Sequence, residues 1–231
     1  MLAAIGLNLV SVWLGGVKFG DLATAASAGT VLSLPYGREA AVVLAERLGA
    51  RLVECGLPLG LNACAEWLVH VGASVGRKAE AEEFSERELS RISPRFAWAV
   101  EELFVESRFA FAGDPVLLRP VARQLSEFGG RVEAAFTMGG HHHAAELGPW
   151  EDLPFTVQEA LPGGLFIQAL RGLISGPEQV HCIIGSGFYF FEGLDCLRPI
   201  QIGFPSYYSH AFHDRPFLGF EGSAGLLNRV A

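Results

Sequence analysis

Short apolar runs alternate with amphipathic helical stretches along this chain, which predicts an α/β fold: two parallel-sheet lobes joined by a helical connector. Three observations carry the prediction. Runs such as Thr30–Leu34, Arg51–Glu54, Arg108–Ala112 and Val180–Ile184 are four or five residues long, and most are rich in Ile, Val, Leu, Phe or Ala. Most end at Gly or Pro, as buried parallel strands do. The stretches between them repeat apolar residues at helical spacing. Finally, residues 76–93 shift abruptly to a charged composition with few large apolar side chains, which reads as a solvated connector helix.

The first lobe is expected over residues 1–75. Gly6–Trp13 has the composition of a strand, and Gly15-Gly16 turns the chain. Phe19–Ala26 reads as a short helical or irregular connector, and Thr30–Leu34 as a second strand closed by Pro35-Tyr-Gly37. Arg38–Leu48 is a helix with Ala41, Leu44, Ala45 and Leu48 on one face, and Gly49 stands where a C′ glycine belongs. Arg51–Glu54 is the third strand. Leu61–Val71 is the next helix, with Leu61, Cys64, Ala65 and Leu68 as its stripe. Three strands before Gly72 are few for a doubly wound sheet, so completion by another chain or by preceding sequence is expected.

The connector is expected over 76–106. Within it, Ser93 and Pro94 are the N-cap and N1 residues of a new helix to Val105, with Phe96, Ala99, Val100 and Leu103 on its buried face. The second lobe, 107–231, opens with the strand Arg108–Ala112. Gly113-Asp-Pro115 leads into a helix capped by Asp114, with Leu117, Val121, Leu125 and Phe128 inward and Gly129-Gly130 at its end. Arg131–Phe136 is a strand and 138–162 a long Gly-, His- and Pro-rich loop. Gly164–Ile174 is a helix bearing Phe166, Ala169, Leu170 and Leu173. Strands near 180 and 199 and a helix after Gly222 complete the lobe. This βα rhythm gives both lobes a Rossmann-like reading.

Composition narrows the function classes. The net charge of −8 leaves no Lys/Arg cluster to neutralise phosphates, which argues against a nucleic-acid partner. The N-terminus lacks the basic segment and cleavage site of a secretory signal, and no apolar run reaches the length of a membrane helix. The four cysteines, Cys55, Cys64, Cys182 and Cys196, form no C-x-x-C pair, as suits a reduced, cytoplasmic protein.

Candidate site residues follow from topology, because ligands of open α/β sheets bind outside the carboxyl ends of the strands. Gly185-Ser-Gly187 follows one buried strand and reads either as a tight turn or as the wall of a ligand crevice. It is not a dinucleotide fingerprint, since the full G-x-G-x-x-G and its acidic partner are missing. The loop after the strand near 199 gathers Tyr207, Tyr208, His210, His213, Asp214 and Arg215, a polar, aromatic set that suits a binding loop or an interface. His141-His-His143 lacks a second ligand pair at zinc spacing and reads as exposed loop. Cys55, at a strand end before Gly56-Leu-Pro58, is a candidate ligand or reactive thiol. Cys64 sits on an apolar stripe, and His181 and Cys182 lie inside a strand as core residues. No nucleophile elbow, P-loop or carboxylate pair is present, so no catalytic residue is assigned.

The order Gly185-Ser-Gly, Ile202-Gly-Phe-Pro205, His210, Arg215-Pro216 and Leu218-Gly-Phe-Glu-Gly222 resembles the C-terminal end of the nitrogenase component 1 family. That family includes the molybdenum–iron protein subunits, their cofactor scaffolds and the dark protochlorophyllide reductases. Gly6-Leu-Asn-Leu-Val10, Leu32–Ala40, Gly56–Leu61, Trp67-Leu-Val69 and Phe109–Pro115 extend the resemblance over nearly the whole chain. The resemblance implies an oxidoreductase subunit, half of a hetero-oligomer with a homologous component 1 subunit, reduced by an ATP-dependent iron-protein-like partner. It implies an iron–sulfur cluster, metallocluster or tetrapyrrole shared with the homologous subunit; the alternative it offers is a non-catalytic cluster-assembly scaffold or binding subunit. It also implies that the cysteine-bearing N-terminal domain of the family precedes the part matched here. Where the molybdenum–iron catalytic subunit has a cofactor-ligating cysteine and histidine, this chain has Pro35 and Phe204, so the resemblance assigns no metal ligand to it. Gly185, Ser186, Gly187, Tyr207, His210 and His213 are the cofactor-pocket candidates.

Overall fold

The computed structural model describes residues 1–13, 19–138, 147–159, 161–176, 179–186, 198–203 and 217–230. Backbone contacts divide the chain into two compact units, Met1–Leu57 with Cys64–Ser90 and Pro58–Ala63 with Arg91–Ala231.

In the first unit, β1 (Thr30–Ser33) and β2 (Arg51–Glu54) pair in parallel, Thr30 opposite Arg51 and Ser33 opposite Glu54. Helix α1 (Arg38–Leu48) makes the crossover and buries Ala41 and Ala45 against Val31. It ends because Gly49 takes φ 62°, so that Ala50 N–H reaches the Ala45 carbonyl and Gly49 N–H that of Glu46. This double closure satisfies carbonyls the helix leaves open. Helices α2 (Leu61–Ser74) and α3 (Lys78–Ala99) follow, and Ile5, Leu68 and Ala81 form a core where the two pack.

The expected first strand, Gly6–Trp13, is not one. A 3₁₀ turn over Leu2–Ile5 is closed by Gly6 at φ 76°, and residues 7–13 run on without a ladder partner among the described residues. Leu9 is 60% exposed and Trp13 44%. Strand-like composition expresses a preference for a pleated, half-buried surface, and without a neighbouring strand it has nothing to act on.

The expected helix start at Ser93–Pro94 is also absent. Pro94 lies inside α3, which continues through it. The bond its missing N–H gives up is to the carbonyl of Ser90, an exposed residue whose carbonyl water can serve, while buried Ile92 and Ala99 hold the axis on either side. A π turn, Val100–Phe104, then adds one residue to the last turn. It moves the buried position on by one: Phe104 is 1% exposed, whereas Leu103, expected inside, is 38% exposed.

The second unit holds a five-stranded, wholly parallel sheet in the order β5-β4-β3-β6-β7. Its strands are β3 (Arg108–Gly113), β4 (Arg131–Thr137), β5 (Thr156–Glu159), β6 (Cys182–Gly185) and β7 (Arg198–Gln201). Central β3 is buried on both faces, with Phe109, Ala110, Phe111 and Ala112 at or below 1% exposure, as parallel sheets covered by helices require. Helix α4 (Pro115–Glu127) turns Leu117, Val121 and Leu125 inward, as its periodicity predicts. Helix α5 (Gly163–Ser175) packs Phe166 edge-on against Phe136, ring centroids 5.0 Å apart. Helix α6 (Gly219–Val230) starts four residues before the expected point, Ser223. Strand β5 lies within the stretch expected to be loop; its Thr-Val-Gln-Glu sequence carries one apolar residue, too few for a period to be read.

Candidate functional site

The strand order places β3, the first strand of its sheet in sequence, between β4 and β6, so the chain reverses its direction of progress at the β3/β6 boundary. Crevices that take ligands in open α/β sheets form outside the carboxyl ends at such a switch point. The residues there are Gly113-Asp-Pro115 after β3 and Gly185-Ser186 after β6.

The backbones meet closely at this point. Ser186 N–H donates to the Ala112 carbonyl at 2.8 Å, and Ile202 N–H donates to the Gly185 carbonyl at 2.8 Å. Gly185 sits at φ 153°, and a Cβ there would fall 1.6 Å from the Ala112 oxygen. A Cβ on Gly113 would meet Ser186 Oγ at 2.9 Å. Both positions therefore require glycine, and Ser186, 3% exposed, is pressed over Gly113. The sequence candidates Gly185 and Ser186 thus stand at the switch point. Gly187, Tyr207, His210 and His213 lie outside the described residues, as do His141–His143.

The first turn of α4 faces the same edge and is closed to anions. Asp114 Oδ1 accepts the N–H of Val116 at 2.9 Å, and Pro115 has no N–H to offer. A carboxylate at the cap and a missing donor oppose phosphate binding, which needs free N–H groups and a positive helix end. The nucleotide cradle found after the first strand of many Rossmann folds is accordingly not built here.

Two further arrangements were not legible in the sequence. At the carboxyl ends of β1 and β2, the Arg38 guanidinium donates to the carbonyls of Ser33 and Cys55, the latter at 2.8 Å. It ties the two strand ends together from the first residue of α1. Cys55 itself is 2% exposed, and burial pushes its thiol above the ordinary range despite the opposing pull of Arg38. In the second unit, Glu127 Oε2 accepts the Asn62 N–H at 3.2 Å, and the N–H groups of Leu61 and Ala63 also face the carboxylate. Burial raises this carboxyl above the usual range, with those donors and Arg123 acting in the opposite sense. Ser223 Oγ accepts Gly60 N–H at 2.9 Å and Gly219 N–H donates to Pro58 at 2.7 Å, which fixes the segment 58–63 in this unit. The only hint in the sequence was a glutamate at the end of an apolar helix.

Among the described residues no group of three or more His, Cys, Asp or Glu is arranged to hold a metal ion, and no helix is long and apolar enough to cross a membrane.

A wholly parallel sheet with a glycine-lined switch point, followed by a helix capped by its own carboxylate, defines a Rossmann-like α/β protein. The profile of the family described as nitrogenase component 1 type oxidoreductase matches residues 1–231, and the chain belongs to that family. Solved structures agree on the fold. "Nitrogenase Cp1 at pH 6.5" matches with a TM-score of 0.73 at 17% identity over 99% of this chain. "Nitrogenase Cp1 at pH 5" matches with a TM-score of 0.76 at 15% identity over 98% of it. The chain spans about half the length of these nitrogenase chains, 54% and 51%. A search of the curated proteins found no match.

Members of this family bind metalloclusters, and the described residues do not fit direct ligation of one. Cys55 is 2% exposed just after β2, Cys64 is 0% exposed on the inner face of α2, and Cys182 lies within β6. No step of chemistry is therefore assigned to a cluster held by them.

Proposed function

We propose that this chain is a component 1-like oxidoreductase subunit that takes part in ATP-coupled, iron–sulfur-mediated reduction as half of a hetero-oligomer. The observation that carries the reading is family membership across residues 1–231. In this reading the lobe 107–231 contributes a pocket wall, with Gly185, Ser186, Gly187, Tyr207, His210 and His213 facing the shared cofactor or substrate. A homologous component 1 subunit supplies the ligands, and an iron-protein-like reductase supplies electrons. The chemistry belongs to the cofactor, and the protein shapes and orients its surroundings.

A second reading is a cluster-assembly scaffold or binding subunit. The burial of Cys55 and Cys64 favours it, since neither presents a ligating or redox-active thiol at the surface. Anaerobic purification of the tagged chain with its co-eluting proteins, followed by iron determination, tests both. Iron together with a cysteine-rich homologous partner and substrate-dependent electron acceptance supports the reductase. Iron without electron acceptance supports the scaffold, and an iron-free, solitary chain refutes both.

A further inference from the structure

Helices α2 and α3 come close at Gly72, where a Cβ would lie 2.7 Å from the Ala81 Cβ and from the Arg77 carbonyl oxygen just before α3. Beyond that contact they leave an open groove of about 270 Å³. From α2 it is lined by Ala65, Glu66 and Val69. From α3 it is lined by Glu82, Ser85, Glu86 and Leu89, spaced i, i+3, i+4 and i+7 and so on one helix face. The floor is apolar or small: Ala65, Val69, Leu89 and the β-carbon of Ser85. The rim carries three carboxylates.

Two features within the groove ask for a cation. Ser85 is 3% exposed, and its buried hydroxyl has no hydrogen-bond partner. Such a group has a cost that a partner seated in the groove would remove. Along α3, Glu80, Glu82 and Glu83 each pair with a basic residue one turn away, Arg77, Lys78 and Arg87 respectively. Glu86, beside Ser85 on the groove, has no ion pair among the described residues.

From this we infer that the α2–α3 groove is the docking site for a basic amphipathic helix of a partner protein. A lysine of that helix lays its alkyl stem along Val69 and Leu89. Its ammonium donates to Ser85 Oγ and lies against the Glu86 carboxylate, with Glu66 and Glu82 flanking. Long basic side chains cover apolar surface in this way while their charge stays near water, and an amphipathic helix set into an apolar groove is a recurring mode of recognition. Charge complementarity selects this occupant over an acidic or neutral helix.

The test is fluorescence anisotropy of a labelled amphipathic Leu/Ala/Lys helix titrated with the full chain, against the same peptide with Glu for Lys. The basic peptide is expected to bind and the acidic one not. Each exposed charge pair contributes about twofold, so E66Q/E82Q/E86Q is expected to weaken binding roughly eightfold and to flatten its salt dependence. The control E39Q/E46Q/E151Q, which changes net charge equally on other elements, is expected to stay within about twofold on the same scale. S85L, which fills the floor, is expected to abolish binding, with circular dichroism confirming the fold. Equal binding by both triple variants, or no preference for the basic peptide, overturns the proposal. Self-association of the chain that E66Q/E82Q/E86Q abolishes and the basic peptide fails to compete would assign the groove to a second copy and overturn it as well.

Discussion

Replacing Gly185 by alanine tests the switch-point geometry directly. The new Cβ would stand 1.6 Å from the Ala112 oxygen and 2.5 Å from its carbonyl carbon, and φ of 153° adds backbone strain for any residue with a side chain. No rotamer relieves a Cβ clash with backbone, so β6 must move away from β3. Movement breaks Ser186 N–H to Ala112 and loosens Ile202 N–H to Gly185. Strain of about 1–3 kcal/mol and two backbone bonds at about 1 kcal/mol each give a loss of roughly 3–5 kcal/mol. Urea unfolding followed by far-UV circular dichroism measures it as a lowered midpoint. Gly164→Ala is the matched control: nothing lies within 4 Å of its Cβ position in α5, and its effect is expected within about 1 kcal/mol of zero or stabilising. A Gly185→Ala loss below about 1 kcal/mol would refute the close β3–β6 approach on which the pocket wall rests.

Other expectations are as specific. Asp114→Ala removes the α4 cap and is expected to cost about 1 kcal/mol, while Asp114→Asn keeps an acceptor and costs less, by the same unfolding assay. Arg38→Ala unties the ends of β1 and β2 and is expected to cost about 2 kcal/mol, with Arg38→Lys intermediate because an ammonium cannot span two carbonyls as a planar fork does. Glu127 sets a pH dependence. Its folded carboxyl is raised above the unfolded value of about 4.3, so the folded state holds the proton more tightly. Its contribution is full below that value and is lost as pH rises through the folded one. Wild-type stability relative to Glu127→Gln should therefore fall as pH rises above the unfolded value of about 4.3, and a rise would refute the burial of this carboxylate. Finally, Cys55 should react with a thiol reagent in native protein far more slowly than after denaturation.

Where one face of an element determined its packing, the sequence was sufficient. Helix α1 begins and ends at the expected residues, β2 matches its expected bounds, and the Asp114 cap forms with its hydrogen bond in place. These features are local: a helical period, a terminal glycine, a capping carboxylate followed by proline. Failures arose where a distant partner decided the outcome. Gly6–Trp13 has strand composition and no described strand to pair with. Pro94 has the look of a helix start, yet Ile92 and Ala99 carry the helix past it. The π turn over Val100–Phe104 defeats any fixed period, since it exchanges the expected Leu103 for Phe104 in the core. At the site, Gly185 and Ser186 were legible because they follow a buried strand. Arg38 and Glu127 were not, because they reach main-chain groups 17 and 65 residues away, a carbonyl acceptor for Arg38 and an N–H donor for Glu127, and such partners leave no trace in a sequence.

The two sheet edges also differ in what they can do, and the difference bears on the division of labour proposed for this subunit. In the first unit the edge is closed by a permanent cation, Arg38, whose donors are spent on the carbonyls of Ser33 and Cys55. In the second unit the edge is closed by backbone contact at Gly113, Gly185 and Ser186, and the adjoining helix start carries a carboxylate. Among the described residues, the α4 cap at Asp114 and Pro115 offers no donor to an anion and Cys55 is buried. The second edge is held by backbone-to-backbone contacts that no rotamer change can relax, whereas the first depends on the Arg38 side chain. Under the proposed reading of the chain as half of a hetero-oligomer, iron content in the complex, and not in the isolated chain, is the quantity to measure.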